Sequence, residues 1–137
     1  MHTSTLIKIR GYHLDLYGHV NNARYLEFLE EARWEFLEKQ ADLAQFMSSG
    51  LGLAVVNINI NYRRGAYMNE LIDIQTSLSR IGGKSAVMKQ VIYLQGTDKL
   101  VADAEITFVI TDIKTQKAVA LEGELLAQLQ AWQNPVV

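Results

Sequence analysis

The sequence has 137 residues, of which 49% are apolar and 20% charged, and its formal net charge is −2. This length fits one domain over residues 1–137, and the near-neutral charge excludes a strong attraction to nucleic acid or to anionic membranes. The lack of cysteine excludes disulfides, zinc–thiolate sites and a cysteine nucleophile.

No signal for export or for membrane insertion is visible in the sequence. The N-terminal Met-His-Thr-Ser lacks the basic and then apolar pattern of a signal peptide. No run approaches the roughly 18 apolar residues that a membrane-spanning helix requires. We therefore expect a cytoplasmic protein with no membrane partner.

The first predicted element is a half-buried strand over residues 5–10. Thr5, Ile7 and Ile9 occupy alternate positions, which places them on one face of an extended chain. The intervening side chains are polar except for Leu6, so the opposite face is expected to meet solvent.

A polar loop and a long helix follow this strand. Residues 13–25 contain a carboxylate, two of the three histidines, a glycine and two asparagines. Asn21 or Asn22 can cap a helix that the apolar spacing predicts from Asn22 to about Gln45. Gly50 suits the end of this helix.

The predicted helix has one broad apolar face that is interrupted by a charge. The apolar face comprises Tyr25, Leu26, Leu29, Ala32, Phe36 and Leu37. Arg33 projects into that face, where a charge must be compensated or must reach past the core. Glu30 lies three residues earlier and is a candidate partner, most simply in an ion pair at the helix edge.

Four strands with alternating apolar residues and a final amphipathic helix complete the chain. The predicted strands cover residues 54–62, 71–78, 85–95 and 100–112, and the helix covers residues 122–133. Short turns between strands, such as Ile-Gly-Gly-Lys at 81–84, indicate antiparallel pairing. We therefore predict an α+β fold with an antiparallel sheet of about five strands wrapped around one long helix, and a short C-terminal helix.

The polar loop is the best candidate for a catalytic site. A helix N-terminus offers unpaired N–H groups and a partial positive charge, which can stabilise an oxyanion. Asp15, a few residues upstream, can act as a general base or as a nucleophile. Spacing alone nevertheless favours a turn or capping role for Asp15. His19 fits a loop histidine bonded to backbone as well as it fits a catalytic group.

The loop also carries a family resemblance. Residues 15–25 read Asp-Leu-Tyr-Gly-His-Val-Asn-Asn-Ala-Arg-Tyr, and the likeness covers nearly the whole chain, including residues 10–15, 26–34, 56–64 and 114–118. In these motifs and their order the chain resembles the hotdog-fold acyl-CoA thioesterases. Within them it looks like the 4-hydroxybenzoyl-CoA thioesterase-like branch and its bacterial long-chain enzymes.

The resemblance implies an activity and an assembly. The implied reaction is hydrolysis of fatty acyl-CoA to fatty acid and coenzyme A, without a metal or a cofactor. The implied assembly is a homo-oligomer, dimer or tetramer, with active sites at the dimer interface.

The resemblance also implies roles for individual residues. It assigns the catalytic acid to Asp15, three residues before Gly18, and the amide that polarises the thioester carbonyl to about Asn22. His19 is a further catalytic candidate. Tyr25 is a candidate wall of the substrate tunnel.

Coenzyme A carries phosphates, so cations are expected near the site. The candidates are Arg63 and Arg64, which follow a strand, and Lys84 with Ser85 at the hairpin turn. In the enzymes that the chain resembles, basic and hydroxyl residues near such turns hold the nucleotide.

Two other readings of the sequence stay open. A hotdog hydratase or dehydratase would use a histidine and an acid, which His19 and Asp15 could supply. A non-catalytic acyl-CoA-binding protein could keep the fold and the cations, but it would not need Asp15. A serine hydrolase is disfavoured because no Gly-x-Ser-x-Gly motif occurs.

Overall fold

The computed structural model describes residues 2–40 and 43–133. In chain order its elements are β1 (Thr3–Lys8), α1 (Asn22–Gln40), α2 (Leu43–Ser48), β2 (Leu51–Tyr62), β3 (Leu71–Ile81), β4 (Ser85–Leu94), β5 (Leu100–Asp112) and α3 (Gly123–Gln133). No helix in this part of the chain is both long and apolar enough to cross a membrane.

The five strands form one antiparallel sheet in the order β1-β3-β4-β5-β2, and α1 lies against one face of it. Every second residue of β3 and β5 points towards α1, so the sheet buries a continuous apolar face. From α1 this core receives Tyr25, Phe28, Leu29, Ala32 and Phe36. The predicted α+β architecture is confirmed.

β2 lies at one edge of the sheet and contains a bulge. Its pairing with β5 shifts register between Val55 and Asn57, so Val56 is the extra residue. The bulge keeps apolar residues on the α1 side along the whole strand. Those residues are Leu51, Leu53 and Val55 before the bulge and Ile58, Ile60 and Tyr62 after it. The asparagines at 57, 59 and 61 are exposed.

Some predicted element boundaries were wrong. β1 begins at Thr3, two residues before the prediction, and ends at Lys8. The predicted helix from Asn22 to about Gln45 corresponds to α1 and α2, with residues 41 and 42 outside the described part. Gly50 follows α2 with φ of +83°, which fits the predicted helix end.

Arg33 is the charge that interrupts the apolar face of α1. Its guanidinium donates to Oε1 of Gln90 on β4 at 3.1 Å. Gln90 is fully buried, and its Nε2 donates to the Leu29 carbonyl at 2.9 Å and to Oγ1 of Thr76 at 3.1 Å. Burial lowers the pKa of Arg33, and the charge of Glu30 acts in the opposite direction. Arg33 therefore forms its hydrogen bond with a buried amide. The sequence had instead predicted an ion pair with Glu30.

Candidate active site

The loop between β1 and α1 folds back on itself as a tight hairpin. Leu14 and Val20 form an isolated β-bridge, and the Asp15 N–H donates to the His19 carbonyl at 2.9 Å. Gly18 reverses the chain with φ of +84°, a conformation that favours glycine, and its N–H donates to the Asp15 carbonyl at 3.1 Å. The hairpin thereby places the Asp15 and His19 side chains next to each other.

Two groups orient the Asp15 carboxylate. Its Oδ1 accepts the Tyr17 N–H at 2.8 Å, and its Oδ2 lies 3.4 Å from Nδ1 of His19. The His19 ring lies between the rings of Tyr17 and Tyr67, at centroid distances of 6.3 and 6.2 Å. The Asp15 side chain is 24% exposed and that of His19 41%, so water and a substrate can reach both.

The start of α1 supplies a free backbone donor. Asn21 caps the helix: its Oδ1 accepts the Ala23 N–H at 2.9 Å, and its carbonyl accepts the Arg24 N–H at 2.9 Å. Within the described residues, the Asn22 N–H makes no hydrogen bond to backbone, and the Asn21 side chain accepts from Ala23 instead. The Tyr62 hydroxyl donates to the Asn22 carbonyl at 3.1 Å and so holds the peptide that follows the Asn22 N–H.

Asp15 and the start of α1 face the same cavity, which has a volume of about 610 Å³. This is the size range of small-molecule sites. The cavity is lined by Asp15, Tyr17, His19, Val20, Asn22, Tyr25, Tyr62, Arg63, Arg64, Gly65 and Tyr67. Six of the eight predicted site residues are thus brought together.

The two arginines of the cavity differ in how they are held. Arg63 is half exposed, and its Nε donates to Asp103 at 2.8 Å. Arg64 donates from both terminal nitrogens to Glu70, at 3.0 and 2.9 Å, and the pKa of Glu70 is lowered by this bond. Glu70 also accepts the Tyr67 N–H at 2.7 Å. Arg64 therefore stabilises the wall of the cavity, while Arg63 is paired with Asp103 and is the more exposed of the two arginines.

Lys84 and Ser85 lie at the other end of the sheet. Ser85 is paired with Val109, which is paired with Ala54, whereas the cavity lies beside Tyr62. Along β2, Ala54 and Tyr62 are eight residues apart, which is a distance of about 27 Å at about 3.4 Å per residue. Within a single chain, Lys84 and Ser85 therefore lie far from Asp15.

Tyr25 and His13 are both buried. Tyr25 is 3% exposed at the floor of the cavity, and burial raises the pKa of its hydroxyl, which makes it a poor proton donor. His13 is 6% exposed, and its Nδ1 accepts the Arg10 N–H at 2.9 Å. His13 therefore holds the start of the loop and does not face the cavity.

Five cavity residues were not predicted as site residues: Tyr17 and Val20 of the polar loop, and Tyr62, Gly65 and Tyr67. Gly65 approaches His19 so closely that a Cβ there would lie 3.4 Å from the His19 Cβ. His19 also forms a β-bridge with Tyr67, which closes the cavity from the segment after β2. Tyr62 could have been found, because it ends the run of inward-facing residues on β2. Gly65 and Tyr67 carry no such local signal.

The arrangement suits attack on a carbonyl carbon. A carboxylate and an unpaired amide at a helix N-terminus face one partly open cavity, so a carbonyl oxygen can bind the amide while the carboxylate faces the carbon. Among the described residues no group of three or more histidines or carboxylates could hold a metal ion.

Comparison with known proteins gives a consistent family assignment. The model of the thioesterase-like superfamily matches residues 9–129. The long-chain acyl-CoA thioesterase FadM of Escherichia coli (strain K12) is 56% identical over 126 residues, which is 92% of this chain and 96% of FadM. The acyl-CoA thioester hydrolase YbgC of Escherichia coli O6:H1 is 28% identical over 117 residues, 85% of this chain and 87% of YbgC.

A solved structure agrees with this assignment. The crystal structure of the probable thioesterase YbaW from Escherichia coli superposes with a TM-score of 0.88 at 57% identity. It covers 94% of this chain and 97% of its own.

Proposed function

The chain belongs to the thioesterase-like superfamily, and from this premise we propose that it hydrolyses long-chain fatty acyl-CoA to free fatty acid and coenzyme A. The observation that carries the proposal is that the Asp15 carboxylate and the unpaired Asn22 N–H face one cavity. The 56% identity to FadM, a long-chain acyl-CoA thioesterase, supports the substrate class.

In the proposed reaction the thioester oxygen accepts the Asn22 N–H. Asp15 takes a proton from water, and the water oxygen bonds to the carbonyl carbon. The resulting oxyanion is stabilised by the Asn22 amide and by the positive end of the α1 dipole. Collapse of the intermediate breaks the carbon–sulfur bond, the proton passes to the departing thiolate, and the fatty acid remains.

The same geometry also permits direct attack by Asp15. One carboxylate oxygen then bonds to the carbonyl carbon and expels the thiolate, which leaves a mixed anhydride for water to hydrolyse. In both routes His19, 3.4 Å from Asp15, orients the carboxylate. His19 is therefore a positioning residue in this proposal.

The proposed enzyme is a dimer formed through β2. This strand leaves a 12-residue edge open, with exposed apolar side chains at Val56 and Ile58. An open edge of this length is a template for pairing with another chain. A second copy, paired antiparallel about a two-fold axis, satisfies both edges at once.

This dimer also accounts for the predicted cations on the β3–β4 turn. Antiparallel pairing brings the end of one sheet beside the opposite end of its partner's sheet. Lys84 and Ser85 of the partner subunit then lie at the end where Asp15 and Arg63 are found. The nucleotide of coenzyme A is proposed to contact Arg63 of one subunit and these two residues of the other. The cytoplasmic location stays a prediction.

The test is free thiol release from acyl-CoAs of four to sixteen carbons by wild type and Asp15→Asn. Asparagine keeps the acceptor for the Tyr17 N–H but cannot take a proton, so turnover is expected to fall about 100-fold or more. Asp98→Asn, in an exposed turn, is the matched control. Oligomer size and unfolding midpoint should be unchanged in both variants.

Other outcomes favour the competing readings. Turnover that survives Asp15→Asn would remove Asp15 from the chemistry and make His19 the next residue to change. The His19–Asp15 contact suits a hydratase, which would add water across a carbon–carbon double bond of an enoyl-CoA without releasing thiol. Binding of acyl-CoA without any reaction would indicate an acyl-CoA-binding protein.

A further inference from the structure

An ion pair that takes no part in the proposed chemistry closes the segment that follows β2. Arg64 donates to Oε1 of Glu70 at 3.0 Å and to Oε2 at 2.9 Å. Arg64 also donates to the Gly65 carbonyl at 2.9 Å, and Oε1 of Glu70 accepts the Tyr67 N–H at 2.7 Å. The ion pair therefore joins the two ends of residues 64–70, and the bond to Tyr67 ties in the middle. We call residues 64–70 the wall segment.

The wall segment contains a turn that holds a restricted backbone conformation. The Glu70 N–H donates to the Tyr67 carbonyl at 3.1 Å, and Asn69 between them has φ of +69°. Few residues other than glycine adopt a positive φ, and asparagine is one that tolerates it. The side chains of Arg64 and Glu70 are 31% and 22% exposed, and two parallel bonds to one carboxylate fix both in one geometry. The ion pair thus keeps the turn closed.

The wall segment packs against the polar loop and fixes the position of His19. The Ala66 carbonyl accepts the Val20 N–H at 2.8 Å, and Tyr67 forms a β-bridge with His19. The rings of Tyr67 and His19 lie edge to face, with their centroids 6.2 Å apart. Gly65 lies so close that a Cβ there would be 3.4 Å from the Cβ of His19. Three consecutive residues of the wall segment therefore restrain His19.

His19 in turn restrains the Asp15 carboxylate. Nδ1 of His19 lies 3.4 Å from Oδ2 of Asp15, and the Asp15 N–H donates to the His19 carbonyl at 2.9 Å. A reacting group that is displaced by about 1 Å can lose about 100-fold in rate. The position of this carboxylate therefore depends on a series of contacts that begins at Glu70.

We propose that Glu70, held by Arg64, is a positioning residue for the reaction at Asp15 and acts through the wall segment and His19. This rests on the proposed function. Glu70 does not line the Asp15 cavity, so it has no direct contact with a substrate there. Arg64 lines the cavity, but both of its terminal nitrogens are bonded to Glu70. The proposal therefore gives Arg64 the task of holding Glu70, where the sequence indicated a ligand of coenzyme A.

The first test compares kcat and KM in Glu70→Gln. Glutamine keeps an oxygen for the Tyr67 N–H, but its NH2 group then faces a donor of Arg64, so the paired bonds are lost. We expect kcat for hexadecanoyl-CoA to fall about tenfold or more at a KM within about twofold of wild type, because only the position of Asp15 changes. Glu105→Gln, which removes an exposed ion pair with Arg80, is the matched control and should change neither constant. An unchanged kcat in folded Glu70→Gln would overturn the proposal.

Arg64→Lys tests the same ion pair from its other side. Lysine keeps the positive charge in the cavity but lacks the planar fork that forms two parallel bonds. The positioning role predicts a lower kcat at an unchanged KM. A raised KM at an unchanged kcat would make Arg64 a ligand of coenzyme A and overturn the proposal. This variant also replaces Glu70→Gln if the latter does not fold.

A double-mutant cycle with His19→Ala tests whether Glu70 acts through His19. Alanine keeps the backbone bridge to Tyr67 but removes the ring that orients Asp15. Adding Glu70→Gln to His19→Ala should then lower kcat by less than about twofold, because the contact that Glu70 maintains is already lost. A merely structural role of Glu70 would lower kcat by the same factor in both backgrounds. That result would overturn the proposal.

The last test does not depend on hydrolysis. The Val20 N–H is bonded to the Ala66 carbonyl, so its hydrogen exchange, followed by NMR, reports whether the wall segment stays in place. Exchange at Val20 should be about tenfold faster or more in Glu70→Gln and unchanged in Glu105→Gln. Equal exchange in wild type and Glu70→Gln would overturn the proposal. Faster exchange in a protein that releases no thiol from any acyl-CoA would support the restraint on His19 and reject only the thioesterase activity.

Discussion

Gln90 is a single polar side chain that ties α1 to the centre of the sheet. It is fully buried and bonds to three groups: the Leu29 carbonyl of α1, Oγ1 of Thr76 on β3, and the guanidinium of Arg33. Gln90→Met keeps the shape of the side chain and removes all three bonds. The carbonyl of Leu29 keeps its helical partner four residues later, so Thr76 and Arg33 are the groups left without a partner.

The loss of stability expected for Gln90→Met depends on how deeply Thr76 and Arg33 are buried. Thr76 is fully buried, so leaving its hydroxyl without the Gln90 donor costs about 1–3 kcal/mol. Arg33 is only partly buried and can turn towards water, so its loss lies near the lower end of that range. We expect Gln90→Met to lower the free energy of unfolding by about 3 kcal/mol. The corresponding fall in the melting temperature is roughly 10 °C.

Urea unfolding at a fixed protomer concentration measures this effect, since the stability of the proposed dimer would depend on concentration. Gln75→Met, on the neighbouring strand, is the control because Gln75 is only half-buried and its bond to Asp73 is 3.4 Å long. Adding Thr76→Val to Gln90→Met should recover about 1 kcal/mol or more, because no hydroxyl then remains unpaired. A loss below about 1 kcal/mol for Gln90→Met, or no recovery in the double variant, would refute this account.

Two further predictions concern titration and charge. Burial, followed by the charge of Arg24, lowers the pKa of His13, so folding favours its neutral form. The free energy of unfolding of wild type should therefore fall relative to that of His13→Gln as pH drops below about 6.5, and the difference should stay constant above this pH. The same pH dependence of unfolding in both proteins would contradict this prediction. Lys84→Ala should raise KM for acyl-CoA by about fivefold at low salt, and by less at high salt, with kcat little changed. Lys89→Ala, on an exposed strand position, is the control, and equal KM values for the two variants would contradict a role for Lys84.

The local parts of the fold were predictable because their signals are local. β5 occupies residues 100–112 as predicted, since strict alternation between two turns leaves little freedom in its ends. The face of α1 was less well defined: Phe28 is buried although it was not assigned to the apolar face, and Leu26 is 39% exposed. The sheet decides which side of a helix is covered, and the helical period alone does not contain that information.

The same distinction applies to the candidate site. Asp15, His19 and Asn22 share a cavity because one short hairpin joins them to the helix start, so adjacency in sequence became adjacency in space. Tyr67 comes from a segment after β2, and its bridge to His19 depends on the whole sheet being assembled. No sequence pattern around Tyr67 predicts its contact with His19.

The predicted roles of Lys84 and Ser85 show a different limit of prediction from sequence. Lys84 and Ser85 were proposed from sequence as ligands of the same substrate as Asp15, yet one chain separates them by about 27 Å along its sheet. Antiparallel pairing of the open β2 edge with a second copy would bring Lys84 and Ser85 of the partner subunit to the end of the sheet where Asp15 lies. This is why the proposed function places the nucleotide of coenzyme A across two subunits and not along one.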